Sequence, residues 1–122
     1  MREPVSGTIA MGAYSPAIVA EGRFVYVAGQ GPFRDGEIVS GTIEEETRLT
    51  VDNLATVLAQ AGSGLAEVVR CGVYLADVGD FDAMNRVYAE LFPDPKPART
   101  TIGAALAGGI KVEIDCVAVV PA

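Results

Sequence analysis

Arg99 is the only charged residue between Lys96 and Lys111, and it stands where a proline-stiffened segment enters an apolar run. A guanidinium there offers a rigid fork of donors matched to a carboxylate. That chemistry is a clamp for a small acid. The plainer alternative is an edge-strand arginine in solvent, or one paired with a structural acid. Glu113 sits in the alternating run 110–120 and is a candidate general base or acid if that face of the strand is covered. Its alternative is a structural partner for Lys111 or for an arginine. Asp115 follows on the same face, about 7 Å along by strand rise. Such spacing occurs in paired-carboxylate hydrolases, but any alternating strand shows it.

Three further features could contribute. Gly29-Gln30-Gly31-Pro32 ends a strand and could bring backbone amides against a ligand, although no helix follows directly and phosphate-loop spacing is absent. Tyr14, beside Ser15-Pro16, either faces a ligand or packs near the amino end. Asn85 shares one flank of a helix with Phe81 and Tyr88, where it either braces a loop or touches ligand.

What the chain lacks narrows the chemistry further. Its 122 residues contain no histidine, which removes Ser-His-Asp and Cys-His nucleophile pairs and His-ligated zinc. Cys71 and Cys116 lie inside apolar runs and read as buried free thiols. A net charge of −7 argues against binding a nucleic-acid backbone or an anionic lipid surface. With half the residues hydrophobic, residues 1–122 are expected to fold as a single domain with a sizeable core. Neither a signal-peptide pattern nor an apolar run of membrane-spanning length is visible, so a cytoplasmic location and no membrane partner are expected.

The elements that must position these residues follow from periodicity. The first dozen residues read as a loose arm or a short edge strand. Ala17–Ala20 and Arg23–Ala28 are β-type runs, and Glu21-Gly22 between them predicts a hairpin. Residues 33–41 read as loop and turn around Asp35-Gly36. Thr42 with Glu45 predicts a capping box, and Val51, Leu54, Leu58 and Ala61 give one buried helical face that stops at Gly62. Residues 68–76 form a strand with Val69, Cys71, Val73 and Leu75 on one face and Val68, Arg70, Gly72, Tyr74 and Ala76 on the other. Asp77 or Asp80 caps a second helix with the stripe Phe81, Met84, Tyr88 and Leu91, ended by Pro93, Pro95 and Pro97. Two strands follow, 99–105 and 110–120.

This order predicts an α+β fold, one mixed sheet with both helices on one face. The last strand places Val112, Ile114, Cys116, Ala118 and Val120 on one side, yet Val117 and Val119 finish the other. Two helices cannot cover both faces, so the uncovered side is expected to be buried against other copies of the chain.

Taken together, the segments resemble the Rid family of reactive-intermediate deaminases, also called the YjgF family. The resemblance runs from about residue 10 to the carboxyl end. It is carried by Gly12-Ala13-Tyr14-Ser15-Pro16-Ala17, Val25-Tyr26-Val27-Ala28-Gly29-Gln30, Asp52-Asn53-Leu54, Asn85-Arg86-Val87-Tyr88, and Pro97-Ala98-Arg99 followed by Lys111-Val112-Glu113-Ile114. It implies a chorismate-mutase-like fold assembled as a homotrimer with clefts between subunits. The activity it implies is hydrolysis of 2-imino acids, or their enamine tautomers, to 2-oxo acids and ammonia, without metal or organic cofactor. In that scheme Arg99 binds the substrate carboxylate, Glu113 orients or activates water, Tyr14 lines the cleft, Gly29 supplies a backbone contact and Asn85 is a site residue. The chain has Ala28 where serine is usual and Thr101 where cysteine is common, which leaves Thr101 as the substrate-binding side chain at that position. A protein that binds a small carboxylate without turnover on the same scaffold is the alternative. A ribonuclease reading has also been attached to the family; the acidic balance and absent histidine speak against it.

Overall fold

A computed structural model describes residues 1–122. Its centre is a four-stranded sheet ordered β3 (Arg23–Gln30), β8 (Val112–Val120), β6 (Val68–Leu75) and β7 (Ala98–Gly103). β8 runs antiparallel to both neighbours, while β6 and β7 are parallel. That parallel pair needs a crossover; α2 (Phe81–Leu91) lies within it, and α1 (Ile43–Gln60) comes between β3 and β6 in the chain. Both helices cover one face of this mixed sheet, as expected for the α+β class.

α1 starts where Thr42 Oγ1 accepts from Glu45 N at 3.1 Å and Glu45 Oε1 accepts from Thr42 N at 2.9 Å. It stops at Gly62, whose φ of +78° suits a residue without Cβ. Val51, Leu54 and Leu58 of α1 meet Met84 and Tyr88 of α2 over Cys71, Val73, Leu75, Ile114, Cys116 and Ala118 of the sheet. The second cap belongs to Asp77, which accepts from Gly79 N at 2.8 Å in a 3-10 turn ahead of the helix; Asp80 occupies the N-cap position without a side-chain bond.

Pairing at the amino end differs from the expected hairpin. β2 (Ala17–Ala20) pairs antiparallel with β1 (Arg2–Val5), and β3 pairs with β8. β3 is apolar on both faces, and pairing with the longest strand sets Val25 and Val27 opposite Ala118 and Cys116. The first residues therefore supply β2 with its partner. β4 (Phe33–Arg34) and β5 (Glu37–Ile38) make a small ribbon around Asp35-Gly36, both at positive φ, where only turn was expected. A register shift between Val68 and Arg70 places Val68 in the core with Cys71, reversing its expected face.

The helix-free face carries Phe24 and Tyr26, Glu113, Asp115 and Val117, and Arg70, Tyr74 and Ile102 in cross-strand register. Tyr26 is 76% exposed and Ile102 48% exposed. Val119, expected on this open face, is instead buried, with the Gly22 turn packed against it. No helix is long and apolar enough to cross a membrane.

Candidate functional site

The predicted residues form two groups, on opposite faces of the sheet. Arg99 projects from β7 to the helix side, opposite Cys71 in the parallel ladder. Its guanidinium lies 4.8 Å from the Tyr88 ring and 5.4 Å from the rings of both Tyr14 and Phe81. Nη1 reaches Ala13 O at 3.4 Å, while Nε and Nη2 are buried without a hydrogen-bond partner. Burial pulls the Arg99 pKa down from its ordinary value, with Tyr88 and Cys71 acting the other way; an arginine stays cationic at neutral pH regardless. Thr101, two residues along β7, also carries an unpartnered buried hydroxyl. Met11, Tyr14, Phe81, Arg99 and Thr101 line a cavity of about 200 Å³. A larger cavity of about 460 Å³ lies between the chain ends, and no predicted site residue lines it.

The loop that carries Tyr14 is tied down at several points. Asn85 Oδ1 accepts from Ala13 N at 3.0 Å, so Asn85 braces the loop and does not line the cavity. The Tyr14 hydroxyl accepts from Met11 N at 2.9 Å. Ser15 N donates to Pro97 O and Ser15 Oγ donates to Lys96 O, which fastens the loop to the segment entering β7. Gly12 has no space for a side chain: a Cβ would stand 2.8 Å from Arg99 Nη2 and 3.1 Å from Asn85 Oδ1. Sequence reasoning assigned Phe81 only to a packing stripe and missed its place in the cavity wall. Its position one helical turn before Asn85 was the available signal. Nothing in the sequence marked Gly12 as a contact of Arg99.

Glu113 and Gly29 make up the second group. A Cβ at Gly29 would overlap the Glu113 carboxylate, so glycine is what lets that side chain lie across β3 where its register shifts. Glu113 is half-buried and has no ion-pair partner; Lys111, its suggested structural mate, pairs with Glu46 at 3.1 Å. Asp115 is committed elsewhere. It accepts from Tyr74 OH at 2.8 Å and from Gly72 N at 3.1 Å, and this hydrogen bond holds the Tyr74 proton above its ordinary range. A working pair of Glu113 and Asp115 therefore has only one free member. The cysteines are free and buried as expected, and desolvation pushes both thiols up to about 12.

Tyr14, Asn85, Arg99 and Thr101 thus come together within the chain, and Glu113 and Gly29 come together within the chain, but the sheet separates the groups. One chain thus carries a buried guanidinium with unpartnered donors on one face and a carboxylate without an ion pair on the other.

Comparison with known proteins then adds a family. Residues 6–120 match the model of the endoribonuclease L-PSP family. A mitochondrial protein of Schizosaccharomyces pombe, mmf2, is 48% identical over 111 residues, covering 88% of this chain and 87% of that protein. A human protein named 2-iminobutanoate/2-iminopropanoate deaminase is 36% identical over 113 residues, 90% of this chain and 82% of its own. Among solved structures, a protein of the conserved Rid family from Yersinia pestis superposes with a TM-score of 0.86 at 27% identity, over 97% of this chain and 98% of that one. The mitochondrial name belongs to the yeast protein, and the expected cytoplasmic location gains no support from it.

Proposed function

Because this chain belongs to the endoribonuclease L-PSP family, which includes the Rid (YjgF) proteins, we propose that it hydrolyses reactive 2-imino acids and their enamine tautomers to 2-oxo acids and ammonia. The supporting observation is Arg99, a guanidinium walled by three aromatic rings with Nε and Nη2 buried and unpartnered. Orphaned charged donors are costly to bury, on the order of 1–3 kcal/mol or more each, and a substrate carboxylate would satisfy both. Thr101 Oγ1 offers a third contact in the same cavity. An iminium carbon is already electrophilic, so a held substrate needs little beyond a positioned water and a group to shuttle its protons.

Glu113 is the residue we assign to that water. Since it leaves the other face of the sheet, the working site joins the Arg99 group of one subunit to the Glu113–Gly29 group of a neighbour in a homotrimer. Met11 at 81% exposure in the cavity wall, Ile9 at 87% two residues before it, and Tyr26 on the open sheet face are apolar surfaces that such an assembly would cover. The test is ammonia release from freshly generated 2-iminopropanoate above the spontaneous rate. Arg99→Ala should abolish the excess with the oligomer intact. Co-refolding Arg99→Ala with Glu113→Gln should restore activity, because a mixed cyclic trimer contains one interface with both native residues, about a third of the full complement. No recovery would place the site within a single chain.

The cavity's unpartnered donors also fit a protein that binds a 2-oxo acid without turnover. Thermal stabilisation by 2-oxobutanoate with no rate enhancement would select that reading. The acidic charge and absent histidine continue to weigh against RNA hydrolysis.

A further inference from the structure

Glu46 lies on the buried side of α1 at 1% exposure, the only acidic or basic side chain among the buried residues. Its Oε1 accepts from Lys111 N at 2.8 Å, and its Oε2 accepts from Lys111 Nζ at 3.1 Å and from Gly41 N at 3.2 Å. A buried carboxylate is tolerated only when its acceptors are filled, and two of these three donors are backbone amides. Both amides lie at chain entries: Gly41 precedes the cap of α1, and Lys111 precedes β8. Glu113 is two residues beyond Lys111. Two helical turns further on, Asn53 Nδ2 donates to Gly31 O at 2.9 Å and to Phe33 O at 2.8 Å, fixing the segment that follows Gly29. One helix therefore grips, through two polar side chains, the entry to the strand that bears Glu113 and the exit of the strand that bears Gly29.

We infer that Glu46 is a positioning residue for the Glu113 half of the site, holding the entry of β8 so that the Glu113 carboxylate lies over Gly29. Glu46 touches neither substrate nor water in this scheme; it acts through the Lys111 backbone. The inference rests on the deaminase reading for its kinetic consequence and on amide protection for its structural one.

The test uses Glu46→Gln in the full chain in its assembled state. Glutamine keeps the volume and one acceptor for Lys111 N, but turns an amide NH₂ toward the Gly41 N–H and the Lys111 ammonium. The expected result is a fall of about tenfold in kcat for 2-iminopropanoate with KM within about twofold, a loss in keeping with small misplacements of a reacting group. Amide exchange should rise at residues 110–114 and stay unchanged at 98–103, where Arg99 resides. Should that variant fail to assemble, Lys111→Met removes one of the three donors and is read the same way, with about a threefold fall. Unchanged kcat despite faster exchange at 110–114 would overturn the inference. So would matched losses in kcat and KM with exchange raised through the whole sheet, which is the mark of a merely structural role. If the wild-type chain shows no excess over spontaneous hydrolysis, the deaminase reading falls on its own. The exchange pattern then decides for Glu46: a rise confined to 110–114 sustains the positioning role, and no rise ends it.

Discussion

Arg99 and Glu113 leave the same four-stranded sheet from opposite faces, and their surroundings differ in kind. Arg99 is backed by Tyr88 and Cys71 of the core, boxed by Tyr14 and Phe81, and crossed by a loop that Asn85 and Ser15 tie down. Glu113 has a glycine beneath it, no ion pair, and around it an open sheet face that exposes Tyr26 and Ile102. The first environment is complete in one chain. The second lies open in one chain, and in the proposed trimer a neighbouring subunit would close it. A binding element needs fixed geometry and few waters, which a core supplies. A group that manages water and protons needs access, and an interface can provide it while excluding bulk solvent. The difference makes separate demands of the two sides, and each can be tested by substitution.

The largest effects should come from the two side chains themselves and should differ in type. Arg99→Ala should lower kcat/KM about 10³-fold and abolish thermal stabilisation by 2-oxobutanoate. Glu113→Gln should lower kcat by about 10²–10³-fold, the range for loss of a general acid–base group, while stabilisation by 2-oxobutanoate persists. Identical behaviour of the two variants in the binding assay would erase the distinction between the sides.

The glycines come next. Gly12→Ala places a methyl 2.8 Å from Arg99 Nη2 and should raise KM by about tenfold or more as the guanidinium is displaced. Gly29→Ala collides with the Glu113 carboxylate, the free end of a flexible side chain, and should lower kcat by about tenfold with little change in KM. A KM effect from Gly29→Ala would place substrate, not water, beside β3. Asn85→Ala should be milder. It leaves Ala13 N without its acceptor, and the expected cost is about 1–2 kcal/mol in urea unfolding with a severalfold rise in KM.

How much of this was legible beforehand differs between the sides as well. The capping box at Thr42 and the apolar face of α1 are local patterns, and the sequence carries them in full. Arg99 stood out because it is isolated by charge, and Glu113 because it lies on the strand face expected to be covered. The expected hairpin at Glu21-Gly22 failed because strand pairing is a competition among distant segments; β8 offered β3 a longer apolar partner than β2 could. The reversed face of Val68 hangs on one register shift, which period-two alternation cannot reveal. Asp115 looked equivalent to Glu113 until Tyr74 and Gly72 were seen to occupy its oxygens. Glu46 shares the acidic first turn of α1 with Glu44 and Glu45, where a helix dipole favours any carboxylate, although its spacing from Ile43, Thr50 and Leu54 puts it on the inward side.

The smallest expected effect concerns pH and again separates the two faces. Burial raises the thiols of Cys71 and Cys116 from about 9.0 to about 12, and both lie on the helix side, with Cys71 directly opposite Arg99 in the ladder. In the unfolded chain these thiols ionise at lower pH than in the native one. Their neutral forms therefore add stability that is fully present below about pH 9 and is lost as pH rises toward 12. Urea midpoints should hold level from pH 7 to 8.5 and then fall, and a Cys71→Ala, Cys116→Ala variant, less stable at neutral pH, should fall less steeply. Amide exchange at pH 10 should loosen β6 and β7 behind the clamp before the β3–β8 edge that carries Gly29. An equal slope in the variant would mean that other groups govern the alkaline limit, and that the dry backing of Arg99 is no more sensitive to proton loss than the open side of the sheet.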